Sequence, residues 1–145
     1  MRAPERMIEA VPSAEEIRYL EDRLGEFNAA ATGIEDGTWL AYFVKDTHDR
    51  IIAGIAGALW GDCLEIRQFW VEASRRGQGL GTRLFAAAEH HAHRRGCRQI
   101  VLSTFSFQAP QFYERRGFEI VAVVDDCPRG HASWLMRKRL GVDSA

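Results

Sequence analysis

Nothing in the 145-residue sequence is apolar for long enough to cross a bilayer. The longest apolar run, Ile51–Trp60, is half the roughly 20 residues that a spanning helix needs. The opening stretch, MRAPERMIEAVPSAEE, alternates charge and has no apolar h-region, so it does not read as a secretory signal. Cysteine is scarce. Cys63, Cys97 and Cys127 lie about thirty residues apart with no CxxC pair, an odd and dispersed set. That excludes a disulfide framework or a zinc site legible from spacing, and makes a reducing cytoplasm the expected location. An excess of one charge is missing too, since 19 Lys+Arg against 20 Asp+Glu leave a formal net charge of −1. A nucleic-acid or acidic-membrane binder would normally carry a basic surplus, so neither partner is expected. No repeat, low-complexity stretch or Pro/Gly/Ser-rich linker divides the chain. With 46% hydrophobic and 27% charged residues, it reads as one folded domain over residues 1–145.

The pattern along the chain is one of alternating strands and helices. Residues 7–11 read as a short strand ended by Pro12. Ser13 and Glu16 then form an S-x-x-E capping box at the start of a helix. Ile17, Leu20, Leu24 and Phe27 share one face of that helix, and Gly33 ends it. Residues 38–44 and 50–60 make a hairpin around a polar turn, and Gly61-Asp62 turns the chain into a third strand, Cys63–Val71. Strict alternation would put Leu64, Ile66, Gln68 and Trp70 on one face and Glu65, Arg67, Phe69 and Val71 on the other. Residues 80–95 are a helix stopped by Gly96, with Leu80, Leu84, Ala88 and His91 at helical spacing. A strand at 98–104, a short helix at 109–116, and strands at 118–124 and Ala132–Arg139 complete the chain. The order is β-α-β-β-β-α-β-α-β-β, an α/β chain buried most simply as a mixed sheet flanked by helices.

The most informative segment is Arg75-Arg76-Gly77-Gln78-Gly79-Leu80-Gly81, set between a strand and a helix. Alternate glycines leave the backbone N–H groups unscreened, and these join the positive end of the helix as a site for phosphate or pyrophosphate. Thr82 can add a hydroxyl, and Arg75 and Arg76 add charge at the entrance. A Walker A loop is excluded, because no lysine follows the last glycine. A dinucleotide fingerprint is excluded as well, because the spacing is G-x-G-x-G and the region about 20 residues on is apolar.

Arg76-Gly77-Gln78-Gly79-Leu80-Gly81 resembles the signature of the GNAT superfamily of acyl-CoA-dependent N-acetyltransferases, with Trp70-Val71 ahead of it and a long helix behind. A second family motif, A-x-x-[FL]-Y-E-[KR]-x-G-F, is matched by Ala109-Pro-Gln-Phe112-Tyr113-Glu114-Arg115-Arg116-Gly117-Phe118. The resemblance implies the family's fold, with a splayed central sheet, and acetyl-CoA as cosubstrate. The pyrophosphate would sit on the amides of Gly77, Gln78, Gly79, Leu80, Gly81 and Thr82 beside Arg76, and the pantetheine along the backbone of Trp70 and Val71. Seven residues before the tyrosine, where many members have an asparagine that touches the cofactor, this chain has Ser106. Gln108 is a second donor nearby.

Acyl transfer from a thioester to an amine needs a neutral amine and a proton for the departing thiolate. The resemblance makes Tyr113 the proton donor, and a phenol with an ordinary pKa of about 10 suits donation at neutral pH. Glu65 stands where some members hold a glutamate that deprotonates the amine through water, while other members rely on water alone. His90, His91 and His93 lack the i, i+4 spacing of a helical metal pair, so no metal is expected. His131, Trp60, Phe105, Phe107 and Trp134 either shape the acceptor pocket or pack in the core. The expected acceptor is a primary amine of a small molecule. A protein N-terminus or lysine is the alternative, and a non-catalytic acyl-CoA module is a third. A homodimer is expected, because splayed sheets leave edges and apolar surface to cover.

Overall fold

The computed structural model describes residues 1–141, which fall into two compact units, Met1–Glu35 and a second beginning at Asp36. The first unit carries helix α1, Ala14–Thr32. Both halves of the capping box form: Ser13 Oγ accepts the Glu16 N–H at 3.1 Å, and Glu16 Oε1 accepts the Ser13 N–H at 2.9 Å. These bonds hold the Glu16 carboxyl below the usual carboxylate range. Gly33 closes the helix in the left-handed region, at φ 72°, donating to the Ala29 carbonyl at 2.8 Å. The strand expected at 7–11 is absent. Alternation gives a segment the faces of a strand, but only a ladder of cross-strand bonds makes it one, and residues 7–11 join none.

The second unit is a six-stranded mixed sheet with two helices. Its elements are β1 (Thr38–Lys45), β2 (Ile51–Trp60), β3 (Cys63–Val71), α2 (Leu80–Arg94), β4 (Gln99–Phe105), α3 (Pro110–Glu114), β5 (Glu119–Asp125) and β6 (Ala132–Arg139). The strand order is β1-β2-β3-β4-β6-β5. Only β3 and β4 run parallel, and α2 is the crossover that a parallel pair requires. Between β2 and β3, Gly61 and Asp62 both have positive φ, 56° and 64°, the two-residue hairpin turn whose twist matches the strands. Leu84, Phe85, Ala88 and Ala92 of α2 are buried in one core with Leu40, Ile55, Leu64, Ile66, Ile100, Leu102 and Met136 of the sheet. His91 is at the margin of that face, where its Nδ1 meets the Tyr42 hydroxyl at 2.9 Å.

One irregularity in β3 shapes everything downstream of it. Ala56 pairs with Gln68 and Gly57 with Ile66, so Arg67 is inserted as the extra residue of a bulge. The phase of the strand resets there. Leu64 and Ile66 point into the core, and so do Phe69 and Val71, while Trp70 is half exposed. The strict alternation expected from the sequence therefore fails after Ile66. Opposite the bulge the two backbones close on each other, and a Cβ at Gly57 would come within 2.3 Å of the Glu65 carbonyl oxygen. Gly57→Ala is expected to cost about 1–3 kcal/mol by forcing the strands apart. Urea denaturation would register this as a lowered midpoint, and an unchanged midpoint would show that the bulge opens freely.

Beyond the bulge, β3 and β4 part. Their pairing runs only from Cys63↔Gln99 to Ile66↔Leu102, although β3 continues to Val71 and β4 to Phe105. Strand β4 stays paired with β6 along its whole length, so the bent β3 accounts for the divergence.

Candidate active site

The chain leaves β3 through a short turn at Ala73–Arg75 and enters α2 through the glycine loop. Gly77 and Gly79 have φ of 77° and 81°, which residues with a Cβ adopt only with strain. Gly79 is the N-cap of α2 and offers no side chain to the helix end. The first helical bond is Arg83 N–H to Gly79 O at 3.0 Å, so the amides of Leu80, Gly81 and Thr82 have no partner within the helix. No acidic residue occupies that first turn. This is an anion-binding end by backbone geometry and by dipole. The arginines are tethered rather than loose: Arg76 Nε donates to the Val71 carbonyl at 3.1 Å, and Arg75 Nε lies 3.9 Å from Glu72.

A cleft of about 760 Å³ runs from this loop into the gap between β3 and β4. Arg76, Gly77, Gly79, Leu80, Gly81, Thr82, Trp70, Val71, Gln108 and Tyr113 all line it, while Gln78 and Ser106 do not. The backbone of β3 supplies its polar wall. Glu72 N–H bonds to Ile52 O at 2.8 Å, which makes Ile52 and Glu72 a hydrogen-bonded pair. By antiparallel alternation, Val71 and Phe69 then turn their N–H and C=O groups away from β2, toward the side that β4 has left. Trp70, opposite Gly54, turns its own toward β2. The backbone groups facing the cleft are therefore those of Val71 and Phe69, not the expected Trp70 and Val71.

Tyr113 is held by α3, which Pro110 opens at the first turn and Arg115 caps, before Gly117, at φ 91°, turns the chain toward β5. Its ring sits among Phe69, Phe85, Phe112 and Phe118, with centroids 6.3, 6.0, 5.4 and 5.8 Å away. Only 9% of the residue is exposed, and that burial pushes its hydroxyl above the ordinary phenol value. The proton stays on at neutral pH.

Other residues singled out in the sequence are distributed differently. Ser106 Oγ accepts the Ala132 N–H at 3.0 Å, and the Ser106 N–H bonds to the Ala132 carbonyl at 2.8 Å. The serine thus latches the end of β4 to the start of β6. Gln108 Oε1 takes both the Thr104 hydroxyl, at 3.0 Å, and the Phe105 N–H, at 2.8 Å. Its amide NH2 is the end left to meet a cofactor. Phe105 and Phe107 stack at 5.4 Å, and His131 meets Phe107 edge-on at 4.9 Å, which makes an aromatic corner where Phe107 reaches the cleft. Trp134 packs against the core. Among the described residues, no three His, Cys, Asp or Glu side chains converge as a metal site would require.

Glu65 lies outside this cleft, in a second cavity of about 320 Å³ with Ile66, Arg67, Val101, Leu102, Ser103 and Leu135. The two cavities share Ile66, Arg67, Leu102 and Ser103, the residues at the point where the strands part. Glu65 Oε1 accepts from Arg67 Nε at 3.0 Å. Sequence reasoning missed the bulge. The bulge had one local sign, the break of the Leu64-Glu65-Ile66-Arg67 alternation at two consecutive polar residues, Arg67-Gln68.

The family model described as the acetyltransferase (GNAT) family matches residues 5–118. The chain is 40% identical over 92 residues to the blasticidin-S acetyltransferase of Streptomyces morookaense, which covers 63% of this chain and 68% of that protein. An acetyltransferase structure from Bacillus cereus ATCC 14579 superposes with a TM-score of 0.75 at 32% identity, covering 93% of this chain and 98% of that one. An aminoglycoside 6'-N-acetyltransferase complexed with coenzyme A shares the fold, with a TM-score of 0.64 at 19% identity over 88% and 94% of the two chains. Since one family model spans most of the sequence and a solved acetyltransferase at 32% identity superposes on 93% of it, the chain belongs to the GNAT acetyltransferase family and is an acetyl-transferring enzyme.

Proposed function

We propose that this enzyme moves an acetyl group from acetyl-CoA to a primary amine of a small molecule, by direct attack in a ternary complex. The observation that carries the reading is the opening between β3 and β4, with a cavity on either side and Tyr113 beside it. The pyrophosphate rests on the amides from Gly77 to Thr82, and the pantetheine pairs with the free edge of β3. The amine enters through the cavity that Glu65 lines. Its nitrogen attacks the thioester carbon, and the developing oxyanion takes a hydrogen bond from the Val71 N–H. As the C–S bond breaks, the sulfur keeps the electron pair and takes the Tyr113 proton. The proton lost by the amine passes to Glu65 through water, which needs Arg67 to share that carboxylate rather than hold it shut. Support for a small acceptor comes from the blasticidin-S acetyltransferase, whose name gives its substrate.

The test is thiol release from acetyl-CoA across blasticidin S, aminoglycosides, polyamines, amino acids and peptides. One small-molecule class is expected to reach a kcat/KM of about 10⁴ M⁻¹s⁻¹ or more. Release with peptides alone would replace this reading with protein acetylation. A homodimer belongs to the same proposal, because β5 is an edge strand and all seven of its residues are exposed. Light scattering on the same preparation should give twice the chain mass, and a monomer at every concentration would contradict it.

A further inference from the structure

Arg116 has no part in the scheme above, yet it joins α3 to the first turn of α2. Its guanidinium carbon lies 3.5 Å from the centre of the Phe112 ring, and Nη1 donates to the Phe112 carbonyl at 3.0 Å. Nη2 donates to Thr82 Oγ1 at 2.5 Å, across 34 residues of sequence. Burial and the neighbouring Arg115 press its pKa downward, but an arginine keeps its proton in proteins. The partner it has taken is a hydroxyl in the anion-binding turn.

A hydroxyl has one hydrogen and two lone pairs, while a guanidinium can only donate. The contact with Arg116 therefore consumes a lone pair of Thr82 and leaves its hydrogen to be given elsewhere. A threonine deep in a helix often spends that hydrogen on the carbonyl three or four residues back. Three before Thr82 is the N-cap Gly79, whose carbonyl takes the Arg83 N–H at 3.0 Å, and four before it is Gln78, which precedes the helix. The adjacent cation also polarises the O–H bond and strengthens it as a donor. Thr82 lines the cleft beside Gly81 and Leu80, whose amides have no helical acceptor.

We propose that Arg116 is a positioning residue for the phosphate end of the cofactor, which holds Thr82 Oγ1 as an acceptor and so commits that hydroxyl to donating into the anion site. The proposal rests on the reading that acetyl-CoA binds at this loop. The site is then built to take a group that only accepts, as a phosphate oxygen does. A water or a hydroxyl would gain less from the same arrangement, because each can fill a donor role that Thr82 no longer needs filled.

The experiment is a double-mutant cycle on acetyl-CoA affinity, with Thr82→Val, Arg116→Gln and the pair, joined to kinetics with S-acetylpantetheine, which lacks the pyrophosphate. Each single variant is expected to weaken acetyl-CoA binding about ten-fold, the scale of one charge-assisted hydrogen bond. The pair should be no worse than either single variant, because both remove the same donor. The ratio of kcat/KM for acetyl-CoA over S-acetylpantetheine should fall about ten-fold in Arg116→Gln. If Arg116 merely braces the fold, both thioesters lose rate equally, the ratio stands, and the proposal is overturned. Additive effects in the pair would overturn it too. Should Arg116→Gln fail to fold, Arg116→Lys keeps a cation over Phe112 but loses the two-nitrogen fork that reaches Thr82 and the Phe112 carbonyl separately, and the same ratio should fall about three-fold. An unchanged ratio in that variant overturns the proposal. Wild-type protein that does not bind acetyl-CoA would overturn the cofactor reading itself, whereas wild-type binding with additive variants overturns this proposal alone.

Discussion

Gly79→Asp is expected to abolish the rise in melting temperature that acetyl-CoA gives the wild-type protein. At a hundred times its Kd, a ligand adds about 2.7 kcal/mol to the native state, a shift of several degrees. The substitution is chosen so that the unliganded protein changes little. No atom lies within 4 Å of a Cβ built at position 79, so the new side chain meets no wall. The φ of 81° carries a strain that aspartate tolerates better than most residues. A negative charge at the start of α2 even suits the helix dipole. What it does not suit is a pyrophosphate on the amides of Leu80, Gly81 and Thr82, where the carboxylate would occupy the same field. Loss of the ligand shift with a near-normal unliganded melt is thus the expected pair of results. A shift as large as that of the wild type would remove the loop from cofactor binding. Adenosine, which has no phosphate, should produce little shift in either protein.

Local signals in this chain were legible, and long-range ones were not. Cys63–Val71 and Ala132–Arg139 run between the ends that their composition marks, and the Ser13–Glu16 box and Gly33 fix α1 at both termini. Each is settled by residues a few positions apart. The strand expected at 7–11 fails because a ladder is a property of two segments, and its sequence could describe only one. The bulge at Arg67 is a relation between β3 and Gly57 on β2, so strict alternation carried Phe69 and Trp70 to the wrong faces. The same slip named Trp70 instead of Phe69 as the residue that, with Val71, turns its backbone groups toward the cleft. Ser106 reads as a free hydroxyl until Ala132, 26 residues on, is brought beside it. Arg116 likewise has no visible purpose until Thr82 arrives from 34 residues back. The glycine loop and Tyr113 stood out because their chemistry lies in short motifs; the cavity that Glu65 lines belongs to the splay, which no motif spells.

The chemical role of Tyr113 is the centre of the account, and Tyr113→Phe under single-turnover conditions tests it most directly. Phenylalanine keeps the ring among Phe69, Phe85, Phe112 and Phe118 and removes only the hydroxyl. Burial holds the wild-type hydroxyl protonated past its ordinary range, so the acid is present throughout neutral pH. The acid therefore sets no decline across neutral pH: the transfer rate should rise there as the acceptor amine loses its proton, and fall only as the phenol ionises at alkaline pH. In Tyr113→Phe the rate should fall by about 10²–10⁴-fold, the span typical of losing one general acid, while acetyl-CoA affinity stays nearly unchanged. Tyr113→Ala would lose stability as well, through a cavity costing about 3–5 kcal/mol. If Tyr113→Phe transfers acetyl within about three-fold of wild type, the hydroxyl is not the acid, a result that contradicts the account at its centre.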